Sequence, residues 1–224
     1  MTVNSVVDDP SVPGTRLAEE LSRERAGLPA RLAVIGRSRR LQDEIARRSY
    51  FHPNGFVKLV LDEIPGRGQL RLHVWPEPAG DDDIHGHAWR YASVVVGGVL
   101  GEIGYAEAPT GGAPMWRHVY GQTGHRRFSI ADPVAVRVAP TGEDRTLRRG
   151  DGSRREPGHV HRFYAVTGPA ATMLRVGPVV AAHSHVYRVD ATPPREITPR
   201  PTTRADVVEW LGVVGELAAA GAGG

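Results

Sequence analysis

The sequence predicts a mostly β barrel or double-sheet roll, preceded by two helices and followed by a short third. The hydrophobic period switches from helical to two after the turn signature His52-Pro53-Asn54-Gly55. Short strand-like runs then recur, split by Gly, Pro and Asp, which is the pattern of a barrel or roll and not of a βαβ fold. At 224 residues the chain suits one such domain with terminal additions better than two domains.

Taken in order, residues 1–14 are polar and Pro-containing and read as a flexible arm. Thr15 can cap a helix over 16–25, with Glu19 and Glu20 in its first turns. A second helix over 29–49 sets Leu32, Ile35, Leu41, Ile45 and Ala46 near one face. Residues 15–50 are thus expected to pack on the barrel, which occupies 51–190. Its strands are expected at 56–61, 70–75, 84–90, 92–96, 100–106, 115–120, 134–138, 146–149, 159–165, 172–176 and 183–189. The last segment, 191–224, holds a Pro- and Thr-rich linker to 203, a helix over 205–217 and a mobile Gly/Ala tail.

Composition narrows the function. Hydrophobic residues at 40% and charged residues at 24% are ordinary for a globular chain. The longest apolar runs, such as 92–100, are too short to span a bilayer. Residues 1–13 lack a basic patch followed by an apolar stretch, so no secretory signal is read and a cytoplasmic location is expected. There is no cysteine, which excludes disulfides, thiolate metal sites and cysteine nucleophiles, so any metal must be held by His, Asp or Glu. The net charge is +3, and Arg37 with Arg39-Arg40, Arg126-Arg127, Arg148-Arg149 and Arg154-Arg155 read as solvated faces and not as a nucleic-acid footprint. The expected partner is a small molecule, with neither nucleic acid nor membrane; a homodimer is compatible with the sequence.

The segment Asp81-Asp82-Asp83-Ile84-His85-Gly86-His87-Ala88-Trp89 carries the sharpest chemical signal. Residues two apart on a strand point to one face, so His85 and His87 present two imidazoles to one spot. Two inward imidazoles are costly to bury unless their lone pairs are accepted, and a divalent metal accepts them. Asp83 shares that face and can add a carboxylate, or Asp81 to Asp83 form a solvated loop.

This segment resembles the first cupin motif, G-x5-H-x-H-x3,4-E-x6-G, with Gly80 one residue short of the first glycine and Gly98 at the last. Gly152, Pro157, Gly158 and His161 approach the second, G-x5-P-x-G-x2-H-x3-N, in which Gly158-x2-His161 fits. The resemblance implies a cupin-type double-stranded β-helix (jelly-roll barrel) with His161 as third ligand. Tyr91 stands at the glutamate position and Ala165 at the asparagine position, so the implied site has three histidines and no carboxylate. That pattern resembles the cysteine dioxygenase-like (thiol dioxygenase) branch. Members place an arginine on the strand corresponding to 56–61 to hold a substrate carboxylate; the nearest cation here is Lys58, which lacks the planar fork. Without a cysteine to cross-link to tyrosine, cysteine itself is not the expected substrate.

The resemblance implies a mononuclear non-haem iron oxygenase acting on a small thiol or organic acid, with Fe(II) leaving room for substrate and dioxygen. Zn or Ni on the same barrel would support an isomerase, lyase or cyclase, and a non-catalytic binding cupin is the third reading. Tyr91, Lys58 and Arg175 are the catalytic candidates: Tyr91 as a proton donor or packed aromatic, Lys58 as an anchor or snorkelling edge residue, Arg175 as an alternative anchor. His159 shares a face with His161 and is an alternative ligand; the Gly-x2-His spacing selects His161. His183 and His185 read as surface imidazoles on a late edge strand. His118 reads as a packed histidine, and Trp89, Trp116 and Tyr120 as wall or core.

Overall fold

The computed structural model describes residues 13–78, 83–123, 126–192 and 196–220. The expected arm and tail therefore fall mostly outside the described residues. Helices α1 (Pro13–Ala26), α2 (Leu28–Gly36) and α3 (Arg39–Arg48) come first. Strands follow: β1 (Tyr50–Phe51), β2 (Val57–Ile64), β3 (Gly68–Trp75), β4 (Ile84–His85), β5 (Trp89–Gly97), β6 (Leu100–Glu107), β7 (Ala113–Thr123) and β8 (Arg126–Ser129). Then come β9 (Val134–Leu147), β10 (Gly152–Arg155), β11 (Val160–Ala165), β12 (Ala170–Val179), β13 (Ser184–Arg188), β14 (Glu196–Ile197) and β15 (Arg200–Pro201). Helix α4 (Arg204–Ala219) ends the described chain.

The architecture is mostly β, as expected: two antiparallel sheets face each other as a barrel-like sandwich. The first runs β10-β5-β12-β3-β2-β1-β15 and the second β13-β4-β11-β6-β9-β7-β8-β14. A further pairing of β13 with β7 closes the second sheet on itself, so that β13 is flanked on both sides and is not the expected edge strand.

Three helices, not two, precede the barrel. Ser38 adopts an extended conformation (φ −119°, ψ 100°) and its Oγ accepts from the Leu41 backbone N–H at 3.3 Å, so it ends one helix and caps the next. The expected strand over 84–90 also divides: β4 stops at His85 and β5 begins at Trp89. The expected strands at 134–138 and 146–149 belong to one strand, β9, which pairs with β7 over 134–138 and with β6 over 138–147. The linker contributes the short strands β14 and β15. Before α4, Thr203 and Asp206 form a reciprocal capping box.

Period-two alternation divides the first sheet. Leu59, Leu70, Leu72, Val74, Val94 and Met173 point outward and are buried beneath the helices with Leu21, Ile35, Ile45, Leu211 and Val214. The intervening residues point inward, between the sheets. There Phe56, Trp75, Val95, Leu100, Leu147, Ala165 and Ala170 make a smaller apolar cluster. Beside it the inward face turns polar.

Candidate metal centre

A cavity of about 60 Å³ lies between the sheets. The first sheet supplies Lys58 from β2 and Arg71, His73 and Trp75 from β3; β5 adds Trp89 and Tyr91. Facing them are His85 at the end of β4, His87 just beyond it and His161 on β11, with Arg127 from β8.

Sheet register brings the histidines together. His85 and His161 are direct cross-strand partners, although 76 residues apart (161 − 85). His87 leaves the strand but is held nearby, because its carbonyl accepts from the Gly158 N–H at 3.0 Å, while the Gly86 N–H donates to the His185 carbonyl at 2.9 Å. The ring centroids form a near-equilateral triangle: 4.9 Å from His85 to His87, 5.0 Å from His85 to His161 and 5.1 Å from His87 to His161. One ligating nitrogen from each lies within 4.8 Å of the others. A metal about 2.1 Å from each nitrogen would set ring centroids about 5 Å apart.

The donor chemistry also fits a cation. The His85 Nδ1–H donates to the Asp83 carbonyl at 3.0 Å, which leaves Nε2 as the nitrogen with a lone pair. Nδ1 of His87 and of His161 is buried with no hydrogen-bond partner among the described residues. Burial first, then the neighbouring imidazoles, hold His87 and His161 well below the usual imidazole pKa, so both rings are neutral at pH 7.

His52 and His73 are pushed down in the same way, by burial first and then by a neighbouring guanidinium, Arg127 for His52 and Arg71 for His73. All four take up protons more readily when unfolded. Their depressed folded values therefore stabilise the protein above the unfolded imidazole pKa of about 6.5 and cease to do so as pH falls. The urea midpoint of metal-free protein is expected to fall between pH 7.5 and 5.5, with each group contributing up to about 1.4 kcal/mol per pH unit. A midpoint that is flat or rises on acidification would contradict this burial of neutral rings.

The remaining candidates separate clearly. Tyr91 lines the cavity with its hydroxyl 3.5 Å from His161 Nε2, and burial first, then Glu102, raises its pKa so that it stays protonated. Lys58 is buried in the cavity wall and is not a snorkelling edge residue; its Nζ donates to the Tyr50 hydroxyl at 2.9 Å. Arg175 must be corrected: its Nε pairs with Glu20 of α1 at 3.0 Å, and it lies outside the cavity because odd-numbered positions of β12 face the helices.

Asp83 is corrected too, since its carboxylate is taken by Arg188 through two bonds of 2.7 Å. His159 is half-buried and outside the triangle. It joins Glu102 and His161 in a second group whose ligating atoms lie within 4.8 Å of one another. Glu102, however, is fully buried and already neutralised by Arg145 and by Arg155 Nε, the latter at 2.8 Å, so a cation there would meet two guanidiniums. His118 is packed, its Nε2 2.9 Å from the Asp190 carbonyl. His183 is exposed and His185 half-buried; their rings neighbour each other 5.3 Å apart, away from the triangle. Tyr120 is core, Trp116 is half-buried on β7 and Trp89 is cavity wall.

Sequence reasoning missed His52, His73, Arg71, Arg127 and Glu102. A signal existed for two of them: in Leu70-Arg71-Leu72-His73-Val74-Trp75 the apolar residues alternate with Arg, His and Trp, which is what a strand between an apolar layer and a polar cavity requires. Arg71 is 8% exposed and its Nε donates to Gln69 at 2.6 Å. It stacks 5.2 Å from the Trp89 ring. Burial lowers its pKa to about 10, so it is still charged at neutral pH.

No family model and no curated protein matches the chain. Among solved structures it is similar to the hydroquinone 1,2-dioxygenase PnpCD, in complex with Cd2+ and 4-hydroxybenzonitrile, at 18% identity over 61% of this chain and 71% of that one, with a TM-score of 0.35. It is similar to the capsular polysaccharide assembling protein CapF from Staphylococcus aureus at 11% identity over 68% and 31% of the two chains, with a TM-score of 0.34. For Pac13, a nucleoside dehydratase of Streptomyces, identity is 10%, coverage 72% and 92%, and the TM-score 0.30. At such identities the residues of the site decide the chemistry. Among the described residues no helix is long and apolar enough to cross a membrane.

Proposed function

We propose that this protein is a metal-dependent enzyme of the cupin type that acts on a small organic anion, with a mononuclear iron oxygenase as the specific reading. The observation that carries it is the composition of the cavity: three converging histidines, with Arg127 on their side, face Lys58 and Arg71, and among the described residues no Asp or Glu lines the space. His85, His87 and His161 would hold the ion, which as Fe(II) supplies open positions for an anionic donor and dioxygen.

The chain's own residues do the rest. Arg71, charged and anchored through Nε and its stacking on Trp89, offers its remaining N–H groups to a carboxylate or thiolate. Lys58, oriented by Tyr50, adds a second donor. Phe56, Trp75 and Phe163 wall the space against water and limit it to a small substrate, an organic acid or thiol rather than a nucleotide or nucleic acid. Tyr91 keeps its proton and can give it to, or hydrogen-bond, whatever occupies the space beside His161.

Metal analysis of anaerobically purified protein with oxygen uptake against a panel of thiols and carboxylates tests this reading. Stoichiometric iron with substrate-dependent uptake supports it. Zinc or nickel without uptake replaces the oxygenase by an isomerase, lyase or cyclase, and no stoichiometric metal leaves a non-catalytic binder. Arg71→Met separates binding from folding. Removing a buried charge that has no ion-pair partner among the described residues is expected to leave stability unchanged or to raise it by up to about 2 kcal/mol, while KM for the anion rises by about 100-fold or more. Urea unfolding and steady-state kinetics check both parts.

A further inference from the structure

We propose that Arg188, which does not reach the cavity, is a positioning residue that sets the orientation of His85. The inference rests on the three-histidine reading above and adds to it a residue on a different strand. β4 is only two residues long, so the ladder that carries His85 has little length with which to fix its neighbour Asp83. On one flank His85 pairs with His161; on the other it pairs with Val186 of β13, two residues before Arg188.

These pairings fix the backbone of His85 but not the rotation or the tautomer of its ring. The Nδ1–H bond to the Asp83 carbonyl at 3.0 Å does that. The carbonyl belongs to the residue just before the strand, so its direction depends on what holds Asp83. Arg188 holds it: Nε donates to Oδ1 and Nη2 to Oδ2, both at 2.7 Å, the parallel two-bond fork that only arginine makes. Both side chains are largely buried. A buried ion pair adds little net stability over an apolar pair of the same size, whereas its fixed geometry transmits direction well. Arg188, the Asp83 carboxylate, the Asp83 carbonyl and His85 Nδ1 thus form one continuous chain that ends with the Nε2 lone pair facing the other two imidazoles.

The test is Co(II) affinity, measured by competition with a coloured chelator on the full-length protein, with circular dichroism to confirm folding. Arg188→Ala is expected to weaken Co(II) binding by about 10- to 100-fold, the usual effect of removing an outer support of a metal-bound histidine. Arg188→Lys, which keeps the charge and loses the fork, should fall between Ala and wild type. Asp83→Ala should match Arg188→Ala, and the double variant should be no worse than either, because both break one chain. Arg117→Ala, on the neighbouring β7, serves as the control: it breaks another arginine–carboxylate pair, with Glu107 of β6 at 2.9 Å, and should leave Co(II) affinity unchanged. Folded Arg188→Ala and Asp83→Ala proteins with wild-type affinity would overturn the proposal and leave the metal reading intact. A wild-type protein that binds no Co(II) would overturn both.

Discussion

Replacing His87 with alanine is expected to weaken divalent metal binding by on the order of a thousandfold, about 4 kcal/mol, so that ordinary dialysis yields protein without metal. Three imidazoles would share the ion, and losing one would leave two donors and an unfilled position that only water can take. His87 is the most informative of the three because it lies beyond the end of β4 and contributes little to the ladder, so its loss acts on the site more than on the fold. His183→Ala is the matched comparison. That residue belongs to a third His-x-His pair, besides 85/87 and 159/161, is exposed and lies outside the triangle, so metal content should be unchanged. Metal content after dialysis and chelator competition on both variants decide the matter; retained metal in His87→Ala together with loss in His183→Ala would relocate the site.

Leu72→Ala is expected to cost about 3 kcal/mol of stability, which for a chain of this size lowers the melting temperature by about 6–12 °C. Leu72 is fully buried in the outer layer, between β3 and the helices, where the surrounding side chains are close-packed and cannot collapse into the space left behind. The neighbouring positions 71 and 73 face the other way. Substitution of Arg71 should therefore change substrate binding with little loss of stability, and substitution of Leu72 the reverse. Calorimetry on both variants, with ligand binding measured alongside, tests whether one strand divides stability from function between its two faces. A Leu72→Ala protein that melts with the wild type would mean that the helices do not pack there as described.

The barrel was readable because the strands obey period two over long stretches, and the helical segments were readable from their apolar stripe. What escaped detection were interruptions made by single residues. Ser38 divides a stretch whose apolar spacing runs on across it, since a cap depends on the backbone conformation at one position. The split between β4 and β5 escaped for a related reason: the bonds that hold Gly86 and His87 come from residues 158 and 185, far away in sequence. The pair His85 and His87 was legible locally, and residue 161 through its glycine spacing. Arg175 was misassigned because a strand's period does not say which of its faces looks inward; that depends on the helices packed against Glu20's side of the sheet. Arg71 and His73 were visible as an alternation, but the alternation alone does not name the occupant of the polar face. Glu102 carried no signal, because its significance comes from Arg145 and Arg155, which meet it only in the folded sheet.

The cross-strand partnership of His85 and His161 would also dictate when during synthesis an ion held by the three histidines could be captured. With about seventy residues between the first two imidazoles and the last, a ribosome adding roughly 5–20 residues per second keeps the nascent chain waiting for several seconds with only a bidentate chelator. Loading would then be a late event, completed after β11 has docked, and the apoprotein must be able to close its barrel around unligated rings.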